Sequence, residues 1–188
     1  MGKDGITSWQ TSALVLLAVF LAVWWEGAFN GLRHLLGAQI DLLPALMVYA
    51  SLRTGLLTVT AVALLGGLWF DSLSANPLGV SVLPLFAIGF VIHINRELIL
   101  REQTFAQFVL GLAASAIVPL LTLLIMLTTA HTPVLGWGSL WQLTVVAIGG
   151  GVATPVCFEL FGWLHRVFVH GADMPSSFQP NREIKRGR

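Results

Sequence analysis

Histidine, cysteine and carboxylates build most metal sites and acid–base pairs, so their spacing indicates which chemistries a chain can support. The five histidines, at positions 34, 93, 131, 165 and 170, are scattered. No two have the His-x-x-x-His spacing that would set two imidazoles on one helix face. Cys157 is the only cysteine, which leaves neither an intrachain disulfide framework nor a cysteine-based zinc site. There is no Gly-x-Ser-x-Gly elbow and no glycine loop of the phosphate-cradling kind. Ser81 and Ser115 have no base at a depth the sequence predicts. The chain is therefore expected to be no enzyme, with no catalytic residue, metal or cofactor. The ionisable residues worth following are Asp41, Arg53, Asp71, His93, Arg96 and Glu159. Each falls at or inside an apolar stretch, where an ionisable group is costly.

Composition explains why those stretches dominate. Of 188 residues, 56% are hydrophobic and 10% charged, and mean hydropathy is +0.82. Soluble domains carry roughly 25% charged residues. A chain this small leaves much of its surface uncovered, so apolar surface on this scale needs lipid as its solvent. A soluble globular enzyme is excluded, and a net charge of +1 supplies no field for nucleic acid.

A hydrocarbon core of about 30 Å takes roughly 17–25 apolar residues as a helix. Spans are predicted at 8–25, 37–53, 55–71, 78–94, 105–130 and 141–164. The long stretch from 40 to 70 is divided because a single helix would carry Arg53 near its centre, and Arg53-Thr54-Gly55 reads as a tight turn. With six spans and both termini inside, nine of the ten lysines and arginines fall on the cytoplasmic side, leaving only Arg33 outside. The expected architecture is an all-α integral membrane protein: one membrane domain over 1–165, then a basic cytoplasmic tail over 166–188. Membrane lipid is its solvent, and the tail's charges form at most a modest patch for anionic lipid or a cytoplasmic partner.

Within the spans, Pro44, Pro84, Pro119 and Pro155 each occupy a different helix, from which four bent helices are expected. Gly55, Ala63 and Gly67 form a small-residue stripe with Gly66 beside it. Ala18 with Ala22 and Ala147 with Gly151 form small-xxx-small pairs. Packing within the chain is the plainer reading of these stripes, and docking of a partner helix the sharper one. Glu159 is expected to meet Arg166, His93 or Arg96 near the cytoplasmic boundary. Asp41 and Asp71 are expected at the opposite boundary, within reach of water.

The most distinctive segment is 41–90. An acidic residue opens a short apolar span, an Arg-x-Gly turn follows, and Gly67-Leu68-x-x-Asp71 then precedes Pro77-Leu78-Gly79. This pattern resembles the rod shape-determining MreD family of bacterial inner-membrane proteins. The resemblance covers about 50 residues; length and span number agree over the rest, while the first 40 residues and the tail match no pattern. It implies a non-enzymatic scaffold of the elongation machinery that supports lateral peptidoglycan synthesis and cell shape. The implied partner is the single-pass periplasmic protein MreC and, through it, MreB filaments, the RodA glycosyltransferase and its transpeptidase. The family is also similar to the six-helix S-components of energy-coupling-factor transporters.

Gly66, Gly67, Leu68, Asp71, Asn76, Pro77, Leu78 and Gly79 are accordingly the candidate partner-binding residues, with Asp41, Arg53, His93, Arg96 and Glu159 as polar boundary residues. A bulky residue at Gly67 is expected to weaken association without disturbing insertion. The alternative is a substrate-binding subunit of a vitamin or small-molecule transporter. That reading requires a polar cavity opening outward, for which Asn30, Arg33, His34, Asn76 and Trp141 are the candidate lining residues, with Ala18 and Ala22 docking a transporter subunit.

Overall fold

The computed structural model describes residues 3–28, 41–74, 77–99, 103–128 and 137–170. Asn30, Arg33, His34, Asn76 and the tail beyond His170 lie outside the described residues. Among the described residues six helices follow in order: α1 (Lys3–Ala28), α2 (Leu43–Arg53), α3 (Leu56–Leu73), α4 (Val82–Ile94), α5 (Thr104–Thr128) and α6 (Trp137–His170). Among the described residues there is no strand.

Four helices, α1, α3, α5 and α6, are long and apolar enough to cross a membrane. The chain is a multi-pass membrane protein. The other two fall short of the expected spans. At 1.5 Å per residue, the 11 residues of α2 reach about 16 Å and the 13 of α4 about 20 Å, against a core of about 30 Å. The 40–70 stretch does divide at Arg53-Thr54-Gly55. The Thr54 N–H and hydroxyl both donate to the Ala50 carbonyl, at 2.8 and 2.6 Å, and Gly55 is extended ahead of α3.

α2 is the axis of the bundle. Every residue from Leu43 to Leu52 is buried, and the helix touches each of the other five. A helix apolar on all sides has no face to give to water, and here the surrounding helices leave it none to give to lipid. Val15, Val19 and Val23 of α1, Val59 and Val62 of α3, Leu85 of α4 and Val118 of α5 join it in one core.

Two of the four expected bends are absent as proline bends. Pro44 and Pro84 sit in the first turns of α2 and α4, where a backbone N–H has no intrahelical acceptor to lose. Pro119 and Pro155 are interior to α5 and α6. A π-helical segment, Val62–Gly66, interrupts α3. Gly66 at its end and Gly67 just after it are buried, while Leu64, Leu65 and Leu68 are exposed.

The α5–α6 contact is made by small residues. A Cβ on Gly111 would overlap the Thr154 side chain and stand 2.7 Å from the Gly150 carbonyl, and one on Gly150 would overlap the Ser115 hydroxyl. Gly151 faces Phe108 and Leu112, and Ala147 is buried beside it. This stripe packs within the chain, where close backbone approach supplies dispersion contacts that lipid cannot.

Candidate functional site

The two halves of the Gly-Leu-x-x-Asp and Pro-Leu-Gly pattern meet in space. Asp71 Oδ2 accepts the backbone N–H of Gly79 at 2.8 Å and of Ser81 at 3.1 Å, and Oδ1 accepts the Ser81 hydroxyl at 2.5 Å. The side chain is 1% exposed, so the expectation that water reaches it is corrected. Its solvation comes from the turn it gathers. Gly79 has φ +91°, a conformation that L side chains rarely adopt. With the Gly79 and Ser81 N–H groups given to Asp71 and the Val80 N–H to the Pro77 carbonyl, the 77–81 segment forms a turn, and α4 starts at Val82 rather than at 78.

Gly67, one turn before Asp71 on α3, acts on the same element. A Cβ there would stand 2.9 Å from Val82 Cγ2, 3.0 Å from its Cα and 3.1 Å from its N. Gly66 is equally enclosed, with Leu43 Cδ1 2.7 Å from where a Cβ would be. Both glycines therefore hold the fold together, and substitution at Gly67 strikes α3–α4 packing before it reaches any partner. Within the candidate partner-binding set, Leu68, Pro77 and Leu78 are exposed.

The same end of the bundle carries two more carboxylates. Glu26 Oε1 accepts the Leu42 N–H at 2.6 Å, and Asp41 Oδ1 accepts the Leu43 N–H at 2.9 Å. Both thus serve the N-terminus of α2, where unpaired N–H groups and the helix dipole favour negative charge. Glu26 is buried and is not among the residues expected from the sequence; the signal for it is an acidic residue directly after Trp24-Trp25 at the end of an apolar run. Beside Asp41 lies a cavity of about 380 Å³ between α2, α3, α4, α5 and α6. Its polar lining is Asp41, Ser81, Thr122 and Gln142, with Leu85, Val118 and Met126 among the apolar walls. None of the lining residues expected from the sequence takes part among those described: Trp141 is exposed outside it.

At the opposite end, the last carbonyls of α2 are covered from α4. His93 Nδ1 pairs with the Ser51 carbonyl at 3.1 Å, which places a proton on Nδ1, and Arg96 Nη1 donates to the Thr54 carbonyl at 3.3 Å. Basic side chains at a helix C-terminus complement its dipole as well as its orphan acceptors. Neither serves Glu159 in the way expected, and Glu159 is exposed. The Arg166 side chain, its other expected partner, lies outside those described. Arg53, the last residue of α2, is exposed, with its guanidinium 6.0 Å from the centroid of Phe158. Ser12 and Thr58 share a hydroxyl–hydroxyl bond of 2.8 Å between α1 and α3.

Among the described residues, no three His, Cys, Asp or Glu side chains are grouped to hold a metal ion. No family model, curated protein or solved structure matches this chain.

Proposed function

We propose that this chain is a non-enzymatic membrane scaffold of the bacterial elongation machinery, similar in role to the MreD proteins, and that it holds an MreC-like single-pass protein in the inner membrane. The observation that carries this reading is the Asp71 clamp. It joins the two motif halves on which the resemblance rests, and leaves Leu68, Pro77 and Leu78 on the outside of the joint. In this reading the six helices form a six-span, N-in/C-in arrangement like that of the S-components. The short α2 and α4 complete it inside a bundle whose long helices face lipid.

The test is gentle purification of the tagged protein from its own membranes, followed by native mass spectrometry and site-specific photocrosslinking. A stoichiometric single-pass partner crosslinked from Leu78 but not from Leu124, on the exposed side of α5, supports the scaffold. Absence of any such partner overturns it.

The cavity beside Asp41 favours a second reading, a solute-binding subunit of a small-molecule transporter. Its volume falls in the range of small-molecule sites, about 300–1,000 Å³, and its walls are apolar with a few polar groups. A retained small molecule together with transporter subunits in the same measurement would establish this reading in place of the first.

A further inference from the structure

Among the described helices that surround α2, α4 alone is too short to cross a membrane: its 13 residues reach about 20 Å. It nevertheless has a complete outer face. Leu83, Ala87, Phe90, Val91 and Ile94 are exposed, and their spacing sets them on one stripe from the first turn to the last. A stripe that is apolar from end to end has lipid or protein against it rather than water.

Both ends of α4 are fixed to the bundle. At one end Asp71 of α3 holds the Gly79 and Ser81 N–H groups, in a turn whose Pro77 and Leu78 are exposed. At the other, His93 and Arg96 are tied to the Ser51 and Thr54 carbonyls, and 95–98 is again a turn, with Asn95 and Glu97 exposed. α4 can therefore neither lengthen nor slide. Irregular backbone and charged side chains do not face lipid within the hydrocarbon, where nothing satisfies their polar groups. Leu78 and Leu98, though apolar and exposed, belong to the turns and do not lengthen the span. The two turns thus mark head-group level on this side, about 20 Å apart against a usual core of about 30 Å. The neighbouring α5 has 25 residues, enough for about 37 Å.

A helix shorter than the core is matched by thinner lipid, by flanking side chains that reach outward, or by association. Arg96, the flanking cation, is turned inward to Thr54. Membrane helices associate through small residues, and of the five on this stripe only Ala87 is small; Gly89 faces Met47 and Val59 in the core. Thinner lipid is left.

We infer that α4 holds the bilayer beside it about 10 Å thinner than the bilayer beside α5, which makes this side of the protein a surface for short acyl chains. The step in thickness falls between α4 and α5. The inference is independent of the scaffold reading, since it concerns lipid against this chain alone.

The experiment places single cysteines, in the full-length chain with Cys157→Ala, at Leu83 and Ile94 of α4 and at Val109 and Leu120 of α5. All four positions are exposed, and each pair is eleven residues, about 16 Å, apart on one face. Unchanged melting temperatures check that the fold is kept. Spin labels are then read for depth, by oxygen against nickel-chelate accessibility, in dioleoyl phosphatidylcholine vesicles. Within a pair, the two distances to the nearer hydrocarbon boundary add up to the local thickness less about 16 Å, wherever the helix sits along the membrane normal. The expected sums are about 4 Å for α4 and about 14 Å for α5. In dimyristoleoyl phosphatidylcholine, a thinner bilayer, the α5 sum should fall towards an unchanged α4 sum. A sum of about 14 Å for both pairs in the dioleoyl lipid overturns the inference, because α4 would then sit in lipid of full thickness. Labels on α4 that neither oxygen nor the chelate reaches, with those on α5 accessible, overturn it as well: protein, such as a second copy, would then cover the stripe.

Discussion

The Asp71 carboxylate and the Gly79 amide, eight residues apart in sequence, are joined at 2.8 Å with Asp71 almost fully enclosed. A buried carboxylate is tolerable when its lone pairs are filled, and here three donors of one turn fill them. Removal of the acceptor strands those donors in an apolar setting. Asp71→Ala is expected to destabilise the protein by about 2–4 kcal/mol, and Asp71→Asn by less, because one carbonyl oxygen remains. Thermal unfolding in detergent measures both. Equal melting temperatures for Asp71→Ala and the unsubstituted protein would remove the clamp from the account of the fold.

Gly67 and Gly79 are both needed in this joint for different reasons, and substitution separates them. At Gly67 an added methyl meets the backbone of Val82, which cannot rotate away, so Gly67→Ala is expected to cost about 1–3 kcal/mol. At Gly79 there is open space but φ is +91°, so Gly79→Ala costs about 1–2 kcal/mol through backbone strain alone. Gly55, extended at φ −83° with nothing within 4 Å, is the control and should change little on Gly55→Ala. A melting series of the three alanine variants tests the ordering Gly67, Gly79, Gly55. Co-purification of a partner scored alongside shows whether Gly67→Ala acts through the fold or through an interface.

The sequence reading locates the helices better than it ranks them. Hydropathy gives apolar stretches, and the turn at Arg53-Thr54-Gly55 is legible because an arginine in mid-span is costly and Gly55 suits a helix boundary. That α2 is the buried axis is not legible, since lipid and protein interior select the same side chains for Leu43–Leu52. The burial of Asp71 is hidden for a related reason. An acidic residue at a span end reads as wetted unless its partners are known, and these lie eight and ten residues later in a turn with no periodicity. Pro44 and Pro84 read as bends only while hydropathy carries the helix starts back to 37 and 78, several residues ahead of Leu43 and Val82. The spacing of Ala147 and Gly151 marks a close-packing pair, while the choice between an internal and an external neighbour needs the position of α5.

Glu26 offers a test of whether the α2 N-terminus depends on a distant acceptor. The Leu42 N–H has its 2.6 Å acceptor on α1, sixteen residues earlier, and both groups are at least partly buried. Glu26→Ala removes that acceptor and should lower stability by about 1–3 kcal/mol, whereas Glu26→Gln keeps an amide oxygen in reach and should lose less. Hydrogen exchange is the more local reading: the first amides of α2 should exchange faster in Glu26→Ala, with α5 and α6 unchanged. Uniform acceleration across the bundle would instead mean that Glu26 supports the whole fold.

At the α5–α6 interface the expected effect is as large as at Asp71. Gly111 and Gly150 face the opposite helix so closely that a methyl on either overlaps Thr154 or Ser115, and neither helix can yield without moving its backbone. Gly111→Ala and Gly150→Ala are each expected to destabilise by about 2–4 kcal/mol, beyond the range of an ordinary surface change. Enlarging one side while shrinking the other offers rescue. Ser115→Gly removes the hydroxyl that a Gly150 methyl would strike, so Ser115→Gly/Gly150→Ala should recover stability relative to Gly150→Ala alone. The coupling energy from a double-mutant cycle is then about 1–3 kcal/mol in the direction of rescue. Additive losses in that cycle would show that the two residues do not meet.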